Sequence, residues 1–542
     1  MNEKKSNKYF DIHKPVFWPA SFLIVSFISV TLIVGEPMED IFANVQEFIS
    51  DYGGWFFVLV TNLFLFFCIY IGFSKLGSIR IGGKNAVPEF STAAWFAMLF
   101  SAGMGIGIIF WGVAEPMNHF LNPPVETGTE KGNALQAMGF SFLHWGLHAW
   151  GIYALDGLAL AFFAFNRKLP LTIRSVFYPL LGDRIHGWIG DVIDVIAVLA
   201  TLFGLATSLG LGVQQVSSGL NYLFELPDTV TTQVLLITGI TAVATVSVVL
   251  GIDKGVKKLS ELNIRIAAVF LLFVLIVGPT LFIFESYIQN LGYYVQNFFK
   301  LSFWTESYTS EANAGWQNGW TVFYWAWWIS WSPFVGMFIA RVSKGRTVKE
   351  FITGVLLVPT LLTFLWMTAF GGSGIFLEMS GLANIGEEIT GNVSTSLFVL
   401  LDAFPLSEIA SAIGVVLVIN FFVTSSDSGS LVIDSITAGG KLDAPVGQRI
   451  FWAVTEGAVA AVLLVGGGLT ALQTAAITTG LPFALVLLVM MYSLYKGLSK
   501  EYGLAKAEET KADLSAYESR LKDVIAKRGK ASEKPEDKKE KL

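Results

Sequence analysis

The stretch YWAWWISWSPF, residues 324–334, places four tryptophans within eight consecutive positions. On a helix that turns about 100° per residue, Trp325, Trp328 and Trp331 fall within an arc of about 120°. Tryptophan collects at membrane interfaces, and its ring face is also the best protein partner for an organic cation. The segment therefore predicts either a lipid-facing aromatic belt or an aromatic cage for a cationic ligand.

A second aromatic segment, HWGLHAWGIYALDG, residues 144–157, carries three further candidates. Trp145, Trp150 and Tyr153 fall within about 140° of one helical face. His144 and His148 are four residues apart, a spacing that suits a metal site, but no glutamate follows His144 as HExxH requires. No further ligand set is visible, so we interpret the two histidines as helix-packing residues.

The segment SAGMGIGIIFWGVAEP, residues 101–116, contains three alternating glycines from Gly103 to Gly107. Each glycine costs roughly 1 kcal/mol of helix stability relative to alanine. Such glycines serve either tight helix packing or a locally unwound helix whose backbone carbonyls face a site. Their alternation, followed by Glu115 and Pro116, favours unwinding.

Hydroxyl groups dominate NFFVTSSDSGS, residues 420–430, where Thr424, Ser425 and Ser426 precede Asp427. Hydroxyl and carbonyl oxygens form a shell that suits an alkali cation. The alternative is that the hydroxyls bond back to carbonyls four residues earlier, as is common in membrane helices. Polar groups at membrane depth are costly unless one of these arrangements satisfies them.

The composition assigns these motifs to a membrane protein. Of 542 residues, 53% are hydrophobic and only 14% are charged, whereas soluble domains carry about 25% charged residues. The single cysteine, Cys68, excludes an internal disulfide and a cysteine-based metal site. A membrane-embedded enzyme is not favoured, because no phosphate loop, nucleophile elbow or catalytic dyad is visible.

Apolar segments near the ~20 residues that cross a bilayer predict twelve spans. They lie at about 16–35, 53–73, 92–116, 135–165, 190–222, 231–252, 264–284, 318–340, 351–376, 397–432, 449–468 and 472–495. Lysine and arginine are concentrated in alternate connections, and the connections between them are acidic or nearly uncharged. By the positive-inside rule, both termini are cytoplasmic.

The chain from Lys496 to Leu542 is charged and polar. Within it, DLSAYESRLKDVIAKR has apolar residues at helical spacing, which predicts a short amphipathic helix. A solvated tail and a regulatory segment that responds to osmotic conditions are both open interpretations.

The position of the tryptophans along the span distinguishes a belt from a cage. A belt places aromatic residues at the ends of spans, whereas residues 324–334 lie in the middle of the predicted span 318–340. An aromatic cage is the usual means of holding a quaternary ammonium, which has no donor protons. We therefore expect a methylated onium compound as the ligand.

With these motifs the sequence resembles the betaine/choline/carnitine transporter family. The matching segments are GMGIG (103–107) with AEP (114–116), GIDKGVKKLSELN (251–263), YWAWWISWSPFVGMFIARVSKGR (324–346) and VTSSDSGS (423–430). The similarity extends from about residue 10 to residue 497 and is closest to the sodium-coupled glycine betaine permeases.

The resemblance implies an all-α integral membrane protein with twelve transmembrane helices, in which spans three to twelve form two inverted five-helix repeats of the leucine-transporter type. The implied organisation is a cytoplasmic N-terminal segment (1–15), two peripheral transmembrane helices (16–90), a first repeat (91–285), an extracellular or periplasmic connection with an amphipathic helix (286–315), a second repeat (316–495) and a charged cytoplasmic tail (496–542). Because family members are often trimers, a homotrimer is the assembly to test.

The resemblance also implies a function, which is sodium-coupled symport of glycine betaine or a related methylated ammonium or sulfonium osmolyte across a bacterial cell membrane. It implies no enzymatic activity and no nucleic-acid partner. The alternative is a proton-coupled choline transporter or a sodium-independent carnitine-type transporter of the same family. Proton-coupled choline relatives carry aspartate where this chain has Gly107, which argues against the first of these.

By matching position, the resemblance assigns site residues. The implied aromatic box consists of Trp145, Trp150, Tyr153 and Trp328, with Trp327 and Trp331 along the cytoplasmic route and in contact with substrate, and with Ile106 and Gly107 approaching through their backbone. The implied sodium ligands are the carbonyls of Ser101, Met104 and Phe421 and the hydroxyls of Thr424 and Ser425.

A second sodium position in relatives uses two threonines four residues apart and an aromatic ring. The corresponding residues here are Thr201, Leu205 and Phe334. Leu205 supplies no oxygen, so we expect a weakened second site and about one sodium ion per substrate molecule.

Overall fold

The chain is helical throughout the part that the computed structural model describes, which is residues 10–103, 105–250, 256–309, 315–441 and 444–532. Its β structure there is one isolated antiparallel bridge between Arg80 and Thr347. The helices up to residue 250 are α1 (Lys14–Val34), α2 (Met38–Phe73), α3 (Thr92–Gly103), α4 (Ile106–Leu121), α5 (Glu130–Trp145), α6 (Leu147–Ala161), α7 (Tyr178–Leu181), α8 (Trp188–Phe224) and α9 (Val230–Leu250).

The helices after residue 255 complete the bundle. They are α10 (Val256–Val277), α11 (Thr280–Ser302), α12 (Phe323–Val342), α13 (Val348–Met367), α14 (Ser373–Met379), α15 (Ile385–Ile389), α16 (Ser396–Asp402), α17 (Ser407–Thr437) and α18 (Val446–Ser532). Single π-helical turns precede α12 at Asn318–Val322 and follow α6 and α13 at Phe162–Asn166 and Thr368–Gly372.

Nine helical segments of the described chain are long and apolar enough to cross a membrane. They are Lys14–Val34, Met38–Phe73, Glu130–Asn166, Trp188–Phe224, Val230–Val249, Leu259–Val277, Val348–Met379, Ser407–Thr437 and Val446–Arg528. This confirms the prediction of an all-helical, multi-pass membrane protein. Predicted span seven, however, continued to residue 284, whereas α10 ends at Val277 because Gly278 and Pro279 interrupt it.

The glycine-rich segment of predicted span three is not a continuous helix. Its first part, α3, ends at Gly103, and α4 begins at Ile106 after Gly105, which is extended with φ −144° and ψ −165°. The prediction of local unwinding is therefore confirmed. A second interruption lies between α5 and α6, where Gly146 has a non-helical ψ of −137°. Interrupted backbone at membrane depth occurs where protein or a cavity surrounds it.

The last two predicted spans lie on α18, which is kinked at Gly467 and Gly468. Gly468 has φ 55°, a left-handed conformation that favours glycine. The sequence predicted a short amphipathic helix over residues 513–528 of the tail, and the structure is helical there. The helix is not short, because these residues are the last part of α18, which continues to Ser532 with residues 503–528 exposed.

The basic connections meet at one end of the bundle. Three contacts join them: Arg80 donates to the carbonyl of Gly345 at 2.5 Å, Arg167 pairs with Glu501 at 2.9 Å, and Lys441 pairs with Asp11 at 2.6 Å. The connections after α2, α6, α12 and α17 therefore lie on the same face as the first described residues and the post-kink part of α18.

Candidate functional site

The four tryptophans of residues 324–334 lie inside the protein on α12. The exposed fractions of Trp325, Trp327, Trp328 and Trp331 are between 1% and 6%. A belt that faces lipid would leave the rings exposed, so their burial favours the cage interpretation.

Five aromatic rings, two on α12 and three on α5 and α6, pack edge against face as the walls of one site. The ring centroids of Trp145 and Trp328 are 4.9 Å apart, and those of Trp150 and Tyr153 are 5.5 Å apart. Tyr153 lies 6.3 Å from both Trp328 and Trp331. The planes of these four pairs differ by 72–80°, an edge-to-face arrangement. We call these five residues, which are the four of the implied box together with Trp331, the aromatic box.

Hydrogen bonds to the backbone fix the orientation of two indole rings on α12, those of Trp327 and Trp328. The indole N–H of Trp328 donates to the carbonyl of His144 at 2.8 Å, and that of Trp327 donates to the carbonyl of Gly204 at 3.3 Å. The two rings stack with centroids 4.6 Å apart and planes that differ by 16°. The ends of α5 and the middle of α8 therefore set the orientation of both indoles.

Gly107 brings the interrupted helix directly against the rings. A Cβ atom at this position would lie 2.7 Å from the ring of Trp327 and 3.1 Å from that of Trp145. The preceding residue, Ile106, is buried and packs its side chain against Gly212 of α8. The absence of a side chain at residue 107 is what permits this close approach of backbone to the aromatic rings.

Two donors of the aromatic box have no hydrogen-bond partner among the described residues. These are the hydroxyl of Tyr153 and the indole N–H of Trp331, both of which are buried. Buried polar groups are normally paired, so these two donors are available to a ligand. A carboxylate is an acceptor that complements them.

A small cavity of about 70 Å³ adjoins the aromatic box at Trp331. Its lining includes the predicted ion-binding residues Phe421, Thr424 and Ser425 of α17, together with Phe334 of α12 and Asn263 of α10. The fold thus gathers apolar and oxygen-bearing side chains from three helices around one small cavity.

The cavity brings a hydroxyl close to a backbone carbonyl of the same helix. The hydroxyl of Thr424 donates to the carbonyl oxygen of Phe421 at 3.2 Å. Hydroxyl and carbonyl oxygens are ligand types that suit an alkali cation. The same hydroxyl also lies 3.0 Å from the carbonyl of Asn420, so the back-bonded alternative applies to it as well.

Asn263 adds an oxygen that the sequence interpretation missed. Its amide donates to the hydroxyl of Thr424 at 3.1 Å, while its own oxygen is buried without a partner among the described residues. Asn263 is the last residue of GIDKGVKKLSELN, one of the segments that carried the family resemblance. Nothing in that segment indicated that Asn263 lies beside Thr424. Of the other predicted ligands, Ser101 lies in the last turn of α3, and Met104 lies outside the described residues.

Ser428 of the α17 motif also lines this cavity, whereas Ser426 and Asp427 point elsewhere. Ser426 donates to Glu456 at 3.1 Å, and Asp427 accepts a hydrogen bond from Ser247 at 2.8 Å. Successive residues on a helix differ by about 100° in direction, which is why the motif serves two separate surroundings.

The second predicted ion position is not assembled in the same way. The hydroxyl of Thr201 is fully buried and donates to the carbonyl of Ala197 at 2.7 Å. Leu205 packs against Gly429 of α17, and Phe334 lines the cavity near Thr424. This arrangement fits the expectation of a weakened second site, which stays a prediction.

The sequence interpretation also missed a buried network around Glu115. One carboxylate oxygen accepts hydrogen bonds from the indole N–H of Trp145 at 2.6 Å and the hydroxyl of Tyr324 at 2.5 Å. The other oxygen contacts His144 at 2.8 Å and His119 at 3.2 Å. Three of these partners are 29 to 209 residues away along the chain, so local spacing could not reveal them.

His119 and His144 belong to this network, whereas His148 does not. His148 contacts the side-chain oxygen of Asn62 at 3.2 Å, apart from His144. Glu115, His119 and His144 offer ligand atoms that all lie within 4.8 Å of one another. Carboxylate oxygens and imidazole nitrogens are atoms that a metal ion could bind. Both carboxylate oxygens already accept hydrogen bonds, so we interpret the cluster as a hydrogen-bonded network.

The sequence is similar to known membrane transporters over most of its length. A family model described as betaine/carnitine/choline family transporter matches residues 15–503. A glycine betaine/proline/choline transporter of Vibrio parahaemolyticus is 50% identical over 510 residues, which cover 91% of each chain. Glycine betaine transporter 1 of the same organism is 48% identical and covers 91% of this chain and 95% of its own. The glycine betaine transporter OpuD of Bacillus subtilis is 44% identical over 90% of this chain and 94% of its own.

Proposed function

Because the chain belongs to the betaine/carnitine/choline transporter family, we propose that it is a sodium-coupled symporter that carries glycine betaine, or a related methylated ammonium or sulfonium osmolyte, into a bacterial cell. The observation that carries this proposal is the aromatic box, whose rings meet the interrupted helix at Gly107. Ring faces hold a quaternary ammonium, which offers no proton to an acceptor. The unpartnered donors of Tyr153 and Trp331 complement the carboxylate of a betaine.

The named relatives support the substrate class. Their names are those of transporters rather than enzymes, and several are named for glycine betaine. The relatives span nearly the whole of this chain, so the likeness includes the box, the glycine segment and the hydroxyl segment together. We therefore place the substrate in the aromatic box, between α4, α6 and α12.

Twelve spans, with both termini in the cytoplasm, are the topology that we propose. Among the nine apolar segments, the two halves of α18 are counted as one. Dividing α18 at its glycine kink, and adding the interrupted pair α3–α4 and the tryptophan-rich α12, gives twelve. The gathering of basic connections at one end of the bundle supports a cytoplasmic face there. Helices interrupted at membrane depth support the proposed inverted-repeat architecture.

One coupling sodium ion is proposed for the cavity beside Trp331. The carbonyl of Phe421 and the hydroxyls of Thr424 and Ser425 supply neutral oxygens there, which suit an alkali cation. Leu205 supplies no oxygen at the position where relatives have a second threonine, which favours one ion over two. The alternative within the family is transport coupled to protons or to no ion, in which case the Thr424 hydroxyl would serve only its hydrogen bonds to Asn263 and to its own helix.

Reconstituted protein should show this coupling directly. We expect liposomes containing the protein to accumulate labelled glycine betaine when sodium is higher outside, and not when a proton gradient alone is imposed. For a tenfold sodium gradient and 100 mV, one ion supplies ~1.4 plus ~2.3 kcal/mol, which sustains roughly 500-fold accumulation. Uptake that survives complete replacement of sodium by potassium would contradict sodium coupling.

Removal of the two cavity hydroxyls should weaken the response to sodium. For Thr424→Ala combined with Ser425→Ala, we expect the sodium concentration for half-maximal uptake to rise at least about tenfold, because a desolvated ion loses two oxygens, each with a net worth on the order of 1 kcal/mol. Betaine affinity at saturating sodium should change little. Ser435→Ala is the matched control, since its hydroxyl is on the same helix and has no partner among the described residues. An unchanged sodium requirement in the double variant would contradict the placement of the sodium ion in this cavity.

A further inference from the structure

We infer that Glu115 is a positioning residue that sets the preference of the aromatic box for a cationic ligand over a neutral one of the same shape. This inference rests on the proposed function and deepens it. Glu115 itself is on α4, eight residues after Gly107, and is fully buried. It acts on the ligand through the ring of Trp145.

Trp145 is the point at which the Glu115 network meets the box. Its indole N–H donates to the carboxylate at 2.6 Å, while its ring forms a wall at 72° to the ring of Trp328. The far edge of the same ring approaches Gly107. Because it holds the indole N–H, the carboxylate fixes the angle at which the ring of Trp145 faces a ligand. A shift of the carboxylate would therefore rotate this wall of the box.

The charge of the acceptor also affects the ring itself. Hydrogen bonds to an ionised acceptor are roughly twice as strong as neutral ones, and polarisation along such bonds is strengthened in a buried site. An indole that donates to an anion has more electron density on its ring face, and that density is what attracts a cation. Trp328 offers an internal comparison, because its N–H donates to a neutral backbone carbonyl.

The network holds the carboxylate without a permanent counter-charge. Tyr324 shares one oxygen with Trp145, and His119 and His144 contact the other. Within the described residues, its ion-pair contacts are to these two histidines and to no lysine or arginine. An acidic group held in this way inside a membrane protein is costly unless it has a function. A cation bound in the adjoining box would supply the missing positive charge.

Two ligands of the same shape and different charge test this inference. Glycine betaine has a trimethylammonium group, and 3,3-dimethylbutyrate replaces its nitrogen by carbon. Dissociation constants of both would be measured by intrinsic tryptophan fluorescence with the purified, full-length protein at saturating sodium. In Glu115→Gln, which keeps the shape and an acceptor oxygen, we expect the betaine constant to rise about tenfold and the isostere constant to stay within about twofold.

Variants at the two box tryptophans show whether the effect passes through Trp145. Phenylalanine keeps a ring and removes the N–H, so Glu115→Gln should add little in a Trp145→Phe background and its full effect in a Trp328→Phe background. Asp156→Asn is the control for loss of a buried carboxyl, because this residue is fully buried and packs against Gly336 of α12. We expect it to leave the ratio of the two constants unchanged.

Each outcome separates this inference from the proposed function. Wild-type protein that does not bind betaine, or does not prefer it to the isostere, would contradict the proposed function. A wild-type preference that persists in Glu115→Gln, or equal losses for both ligands, would overturn the role of Glu115 alone. If Glu115→Gln does not fold, the comparison of the single variants decides, since Trp145→Phe should reduce the preference for betaine more than Trp328→Phe does.

Discussion

Replacement of Trp328 by alanine should weaken the apparent affinity for glycine betaine about thirtyfold. A desolvated cation–π contact contributes ~2 kcal/mol, which corresponds to that factor. The ring of Trp328 adjoins three other rings of the box, since its centroid lies within 6.3 Å of those of Trp145, Tyr153 and Trp331. Initial rates of sodium-driven uptake at several betaine concentrations would measure the effect.

Two control variants separate the ring from its surroundings. Trp328→Phe retains an aromatic face but loses the hydrogen bond to the carbonyl of His144, so an intermediate loss is expected. Trp18→Ala should change little, because this tryptophan is on α1 and is 60% exposed. Equal losses in Trp328→Ala and Trp18→Ala would indicate that the tryptophans anchor the protein in the membrane rather than bind the ligand.

Gly107→Ala should reduce affinity for glycine betaine at least about tenfold. The added Cβ would lie 2.7 Å from the ring of Trp327, inside the 3.4 Å at which ordinary contact begins. The atom that it meets belongs to a ring held by a hydrogen bond to Gly204 and by stacking on Trp328. Overpacking of this kind costs about 1–3 kcal/mol and displaces the rings that form the site.

Gly239→Ala is the matched control for the loss of a glycine. This residue is on α9, and a Cβ there would meet nothing within 4 Å. Alanine should be tolerated and should favour the helix slightly. Uptake and thermal stability would be measured for both variants. Betaine affinity that is equal in the two variants would show that close contact at residue 107 does not shape the site.

The sequence by itself determined the class of the protein and the local character of its main motifs. Low charge and repeated apolar segments require a membrane protein of many helices, because lipid leaves backbone groups no other partner. The alternating glycines around Gly105 predicted an interrupted helix for a local reason, since glycine favours the helix least among residues other than proline. Trp145, Trp150 and Tyr153 share a face by helical periodicity alone, and the structure brings them together with α12.

Local spacing could not show which side of a helix meets which neighbour. Ser425 and Ser426 are adjacent hydroxyls, but only packing of α17 between α10, α12 and α18 turns the first toward the cavity and the second toward Glu456. The length of α18 was also not predicted, because a change from apolar to charged residues alters solvation without ending a helix.

The role of Glu115 depended entirely on tertiary structure. In the sequence it is one acid at the end of a glycine-rich span. In the fold, α5 and α12 bring Trp145 and Tyr324 to its carboxylate from 30 and 209 residues away. Hydrogen bonds between distant segments have no periodicity that a single sequence can reveal. The residue types of the box were therefore set by the sequence, and the acceptor that orients one of its walls was set by the packing of three helices.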